Sequence, residues 1–155
     1  MTEVPWLDER EQAAWRSLII SSNRLRAVLD AELVAEHHLS FADYEVFVQL
    51  SEAPDMRLRM SELAERLHLS PSGLTRRLDR LVRDGSVSRE QCPSDRRGSF
   101  AVLNTKGLKQ LVDAAPTHVR GVRQHFLDRL TPDQQSAVAD ALSGLASGDP
   151  NLVHS

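Results

Sequence analysis

The chain has 155 residues, 41% of them hydrophobic, with a single cysteine and a net charge of −3. That length fits one domain with appended helices, and the apolar fraction is enough for a core, which excludes a disordered polymer. One cysteine excludes an intrachain disulfide framework and fits a reducing, cytoplasmic setting. No apolar run approaches the ~18–20 residues of a membrane span, and the acidic, mixed start Met1–Asp8 is not a signal peptide.

From Asp8 to about Glu36 the pattern is helical. Trp15, Leu18, Ser22, Leu25 and Leu29 step by three and four, close to a heptad seam, and Ile19 and Leu33 widen the stripe. At about 1.5 Å per residue this helix spans roughly 43 Å. It is too long to be covered by one small domain, and a second copy of the chain is the simplest cover. Ser40-Phe41-Ala42-Asp43 is a cap with an acid three residues on. It opens a short helix with Tyr44, Phe47, Val48 and Leu50, stopped at Ala53-Pro54-Asp55. Arg57-Leu58-Arg59 alternates as a very short strand.

Two helices follow closely. The first runs from about Met60 to Leu67. The second begins at Ser70-Pro71, a serine cap with proline at the first helical position, buries Leu74, Leu78 and Leu81, and ends at Asp84-Gly85. The period then changes to that of strands. Val87, Arg89 and Gln91 alternate with polar neighbours, Cys92-Pro93-Ser94-Asp95 is a turn cluster, Arg96-Arg97-Gly98 sits at or near the tip, and Phe100–Leu103 returns. Asn104 is a cap for the next helix, which carries Leu108, Leu111, Val112 and Ala115 and then Val119, Val122, Phe126 and Leu130. Pro116 lies inside it and is expected to kink or break it near Ala115. Thr131-Pro132-Asp133-Gln134 is a capping box for a last helix, ended by Ser147-Gly148-Asp149-Pro150.

A helix, a tight turn, a second helix and a hairpin make a winged helix-turn-helix over residues 40–103. The expected fold is therefore mostly α, with a two-stranded wing, a very short third strand, flanking helices at 1–39 and 104–148, and a tail at 149–155. Between Arg57 and Arg97 there are ten basic and six acidic residues, a net of +4, so the rest of the chain carries −7. A basic segment in an acidic frame suits a DNA-contact face, although an Arg-rich solvated helix has the same count. The second helix offers Ser70, Ser72, Gly73, Thr75, Arg76, Arg77 and Arg80. Arginine can bond the O6/N7 edge of guanine twice, and short hydroxyls reach bases or phosphates. Gly73 removes bulk where the duplex would approach. In the wing, Arg96 and Arg97 suit phosphates or a narrow minor groove, and Asp95 suits a strut that pairs with a neighbouring arginine.

At this point the chain resembles the MarR family of bacterial regulators. The carrying residues are Ser61-Glu62-Leu63-Ala64 with Leu67 and Leu69, then Leu74–Leu81, Asp84-Gly85, the wing Pro93-Ser94-Asp95-Arg96-Arg97 and the exit Leu103-Asn104-Thr105-Lys106-Gly107. The resemblance implies a homodimer, with residues 1–39 and 104–148 as the dimerisation helices. The second helix would enter the major groove of a palindromic double-stranded operator, and a wing arginine the minor groove. It further implies a repressor released by a small aromatic or anionic effector bound between the dimerisation and DNA-binding parts. Gly73 stands where the family often has Ser or Thr, and Asn104 replaces the usual Thr.

Trp15, Ile19, Phe41, Tyr44 and Phe47 are candidates for an effector pocket, and equally for core and interface. Cys92 lies in the wing, away from the N-terminal position of thiol sensors. His37 and His38 are adjacent and would point about 100° apart on a helix, and His118 with His125 has no acidic or cysteine partner at ligand spacing, so no metal or other cofactor is expected. No nucleophile elbow, phosphate loop or His-Glu-x-x-His is present, which leaves no basis for an enzyme. The alternative to a DNA-binding regulator is a winged-helix module for protein–protein contact, which would not bind duplex DNA in a salt-dependent way. Effector, operator, regulated genes and the choice between repressor and activator are not written in these residues.

Overall fold

The computed structural model describes residues 4–93 and 95–147, with the side chains of residues 95–97 and 147 outside that description; the expected tail lies beyond it. The chain forms two compact units, residues 1–118 and 119–155.

The first unit opens with α1 (Glu9–His37). Asp8 caps it through a reciprocal box, its carboxylate accepting from the Glu11 amide at 2.8 Å while the Glu11 carboxylate accepts from the Asp8 amide at 2.9 Å. His38 closes it in the left-handed region at φ 53°. Only Leu29 and Leu33 of this helix are buried; the apolar side chains of its N-terminal half are exposed, Trp15 at 58% and Ile20 at 65%. Next come α2 (Phe41–Ser51), a 3-10 turn at Pro54–Met56, β1 (Arg57–Arg59), α3 (Met60–Arg66) and α4 (Pro71–Arg83). The hairpin consists of β2 (Val87–Cys92) and β3 (Asp95–Leu103), and α5 spans Thr105–His125. The sheet is antiparallel in the order β1-β3-β2, with Arg57 opposite Val102, Val87 opposite Leu103 and an irregularity between Gln91 and Cys92.

The core gathers Leu33 of α1, Val46, Phe47 and Leu50 of α2, Leu58 of β1, Leu63 of α3, Leu74, Leu78 and Leu81 of α4, Ala101 and Leu103 of β3, and Leu111 and Ala114 of α5. Helices α2, α4 and α5 contribute apolar residues at three- and four-residue spacing, and burial of these faces holds them in place.

Several expectations change in detail. The helix is not broken at Ala115: α5 continues through Pro116. Proline removes one backbone bond, but the adjacent Thr117 is buried and ties α5 to the end of α1. Its hydroxyl donates to Glu36 Oε2 at 2.8 Å, so His37 Nε2 donates to Thr117 Oγ1 at 2.8 Å. Asn104 does not spend its side chain on a helix cap. Its Nδ2 donates to the Gly85 carbonyl at 3.1 Å and its Oδ1 accepts from the Ser88 hydroxyl at 3.0 Å, joining the end of α4 to the wing. Arg96, Arg97 and Gly98 belong to strand β3 rather than to the turn. Gly85 has the positive φ, 81°, that a left-handed C′ residue needs. Gly107 is required for space: a Cβ there would stand 2.4 Å from the Ser86 carbonyl oxygen and 2.6 Å from Leu103 Cδ1.

In the second unit, a 3-10 turn at Leu127–Arg129 leads to α6 (Pro132–Ser147). The capping box forms as read: Thr131 Oγ1 accepts from the Gln134 amide at 3.3 Å and Gln134 Oε1 accepts from the Thr131 amide at 2.9 Å. Gln135 Nε2 donates to the Leu127 and Leu130 carbonyls, holding the turn against the helix.

Candidate DNA-binding surface and adjoining cavity

Helix α4 starts cleanly because Ser70 Oγ accepts from the Gly73 amide at 3.1 Å, and Pro71 loses nothing at the first position. Gly73 has a local reason beyond room for a duplex: a Cβ there would come within 3.1 Å of that same Ser70 Oγ. With Leu74, Leu78 and Leu81 inward, the 100° step of a helix points Ser72, Arg76, Asp79 and Arg83 outward, with Thr75 toward the wing flank and Arg77 and Arg80 toward the α2 flank.

The charges on this helix are held on both sides. On the wing side, Arg89 of β2 donates from Nη2 to the Thr75 carbonyl at 3.1 Å and to Asp79 Oδ1 at 2.9 Å. The acid that would repel phosphate is therefore paired by a wing arginine. On the α2 side, Arg77 Nη1 donates to the Ala42 carbonyl at 3.2 Å, and Arg80 Nη2 donates to Asp43 Oδ2. Arg83 Nε donates to the Asp79 carbonyl at 3.2 Å. Arg76 is exposed, and among the described residues it makes no hydrogen bond or ion pair. Of the seven residues read as DNA-contacting on this helix, Ser70 and Gly73 build the cap, Ser72, Thr75 and Arg76 lie exposed, and Arg77 and Arg80 reach back to α2. The side chains of Asp95, Arg96 and Arg97 lie outside the described residues. Arg89 and Asp43 were not read from the sequence as residues of this surface, Asp43 being read only as the acid of a helix cap. Their partners are 10 and 37 residues away, and no local pattern signals pairs of that separation.

Two hollows stand out in the first unit, and one of them adjoins α4. One, of about 350 Å³, lies between α4, β1 and the wing and is lined by Arg59, Ser61, Pro71, Thr75 and Ser99 among others. The second, of about 510 Å³, is lined by Arg26 of α1, Phe41, Tyr44 and Glu45 of α2, His68 and His118. Arg26 grips Glu45 with both Nη atoms, at 3.2 and 2.9 Å, and sits 4.9 Å above the Phe41 ring. The His118 ring packs 4.7 Å from Tyr44 and 5.8 Å from Phe41, and its Nδ1 is buried with no hydrogen-bond partner. Burial lowers the His118 pKa, with Glu45 pulling it back up, and burial raises that of Tyr44. Phe41 and Tyr44 thus share this cavity. Phe47 does not reach it, being fully buried in the core, and Trp15 and Ile19 lie exposed on α1 away from its lining. His118 and Arg26 join the cavity without having been read as pocket residues. The sequence offered His118 only as half of a histidine pair.

Known proteins give the arrangement its place. The MarR family profile matches residues 39–99. The HTH-type transcriptional repressor YetL of Bacillus subtilis is 31% identical over 115 residues, covering 72% of this chain and 68% of YetL. Among solved structures, AbsC, a MarR family transcriptional regulator from Streptomyces coelicolor, is 39% identical with a TM-score of 0.86, covering 94% of this chain and 97% of its own. Sco3205 of the same organism, a MarR family regulator solved in complex with DNA, is 39% identical with a TM-score of 0.89, covering 99% and 97%. With two thirds or more of these relatives matched and the same winged helix in place, the chain belongs to the MarR family of transcriptional regulators, with a DNA-binding winged helix.

Proposed function

We propose that the chain is a cytoplasmic homodimeric repressor that reads a palindromic operator and leaves it when a small aromatic or anionic molecule occupies the cavity beside α2. The observation that carries this reading is the exposed Ser72, Thr75 and Arg76 face of a capped helix flanked by the wing. In the major groove, Arg76 and the hydroxyls of Ser72 and Thr75 meet base edges, and the Ser70–Gly73 helix start meets a phosphate. Arg96 and Arg97 enter the minor groove, with Asp95 as their strut.

Residues 1–39 and 104–148 supply the dimer interface. The exposed apolar half of α1 supports this, since among the described residues Trp15 and Ile20 stay more than half exposed and Leu18 and Ile19 more than a third. Two recognition helices then stand about one helical turn, ~34 Å, apart, and an effector acts by favouring a different spacing. The cavity suits a planar acid: Phe41, Tyr44 and His118 offer ring faces, Arg26 a guanidinium and the His118 Nδ1 an unused polar atom. The names of YetL, a repressor, and Sco3205, solved with DNA, support the function by kinship.

The test is binding to the gene's own upstream DNA at 50 and 200 mM salt, repeated with a panel of aromatic acids. Affinity should fall by orders of magnitude across that range, and one of the acids should weaken it further. Salt-independent or absent binding would favour the protein–protein module instead. Arg96→Ala should weaken binding, and an unchanged affinity would remove the wing from the interface.

A further inference from the structure

Asp43 is 3% exposed and carries a carboxylate. A buried charge needs compensation, and Asp43 draws it from few sources. Its Oδ2 accepts from the Ser40 hydroxyl at 2.7 Å and from Arg80, its Oδ1 has no partner, and it sits in the first turn of α2, where the helix dipole favours an anion. Among the described residues Arg80 is the one cation paired with it, and the Arg80 side chain is 60% exposed. The pair is therefore unequal. Arg80 could be solvated without Asp43, whereas Asp43 is left uncompensated without Arg80.

One turn earlier on α4, Arg77 holds the carbonyl of Ala42. Two arginines on one flank of the recognition helix thus grip two consecutive residues of α2. The opposite flank is held by Arg89. A helix fixed on both flanks cannot roll about its axis. At a side-chain radius of about 5–6 Å, a roll of ~10° would displace the outward face by about 1 Å, enough to spoil a two-bond contact to a base edge.

We infer that Asp43 is a positioning residue for sequence recognition: through Arg80 it sets the roll of α4, and Arg80 serves as the anchor of that helix rather than as a phosphate ligand. The inference rests on the DNA-recognition reading above and deepens it. It separates two roles that the sequence leaves merged, since an arginine on the recognition helix is by default counted as a DNA contact.

The experiment uses the full chain and duplexes enriched from a random pool by the unaltered protein, with a scrambled duplex of the same composition as control. Asp43→Asn, Arg80→Gln and the double variant are titrated against both duplexes from 50 to 300 mM KCl, with circular dichroism to check folding. Each single variant should lose about tenfold or more on the enriched duplex and change little on the scrambled one. The slope of log K against log salt should stay as in the parent, and the double variant should be no weaker than the weaker single.

A phosphate-binding Arg80 would behave otherwise: Arg80→Gln would weaken both duplexes alike and reduce the slope by about 0.9. That result, an indifferent Asp43→Asn, or losses that multiply in the double variant would overturn the assignment. Should Asp43→Asn fail to fold, Arg80→Gln decides alone through the slope and the enriched-to-scrambled ratio, because its side chain is largely in solvent. A parent protein that enriches no sequence removes the DNA-recognition reading itself; one that enriches a sequence to which the variants are indifferent removes only the anchor.

Discussion

The recognition helix and the first helix solve their surfaces in opposite ways. On α4 the charged side chains at the flanks are matched within the chain: Asp79 by Arg89, Arg80 by Asp43, Arg77 by the Ala42 carbonyl. On the N-terminal half of α1 the large apolar side chains are left exposed among the described residues, Trp15, Ile19 and Ile20 included. A surface whose polar groups are satisfied internally can keep one shape before it meets DNA. An exposed surface of Trp, Leu and Ile is, on the proposed function, where a second copy would sit. On that reading the difference separates the part that reads from the part that would assemble.

The largest effect should come from breaking the second surface. If the chain is the proposed homodimer, Trp15→Asp combined with Ile20→Asp should leave a monomer in sedimentation velocity and lower affinity for a palindromic duplex by a hundredfold or more, because two half-sites would no longer bind as one unit. A variant that stays dimeric would remove α1 from the interface. A smaller effect is expected where the wing leaves the reading unit. Gly107→Ala places a methyl against the Ser86 carbonyl and Leu103, and overpacking of this kind costs roughly 1–3 kcal/mol; the midpoint of urea unfolding should fall, whereas Gly73→Ala should be milder because only the Ser70 hydroxyl lies near.

The smallest effect should come from His118, whose pKa burial depresses. The unfolded chain then binds a proton at this site more readily than the folded chain. The contribution is fully present above about pH 6.5 and is lost as pH falls below that value toward the depressed folded pKa. Urea midpoints at pH 7.5 and 5 should therefore differ less in His118→Gln than in the parent; an equal difference would mean that other groups carry the acid sensitivity.

Much of the fold was legible because its signals are local. Ser70-Pro71 starts α4, Gly85 ends it, and Thr131 with Gln134 starts α6, each through atoms within four residues of one another. The hairpin and the short strand could be read, but not that the short strand pairs with β3. Legibility failed where a distant contact decided. Pro116 reads as a break, yet Thr117 ties that stretch to Glu36 and His37, some 80 residues away. Asn104 reads as a cap, yet Gly85 and Ser88 take its side chain. At the candidate surface, residue types and helix face could be read, but not which arginines point away from the chain. Arg76 and Arg80 are alike in sequence and differ only because a carboxylate from α2 stands beside one of them.

The first turn of α2 is where these observations meet. Phe41 and Tyr44 line the cavity, while Ala42 and Asp43, the residues between them, hold α4. The Phe41 amide donates to Asp30 Oδ1 at 2.8 Å, so α1 holds the same turn from behind. Four consecutive residues thus form a short lever whose fulcrum is a carboxylate of the first helix. A molecule that pushed on two of its side chains would move the other two, with no need to touch the recognition helix. Sensing and reading would then be separated by the width of one helix, and mutations in this turn would alter both at once.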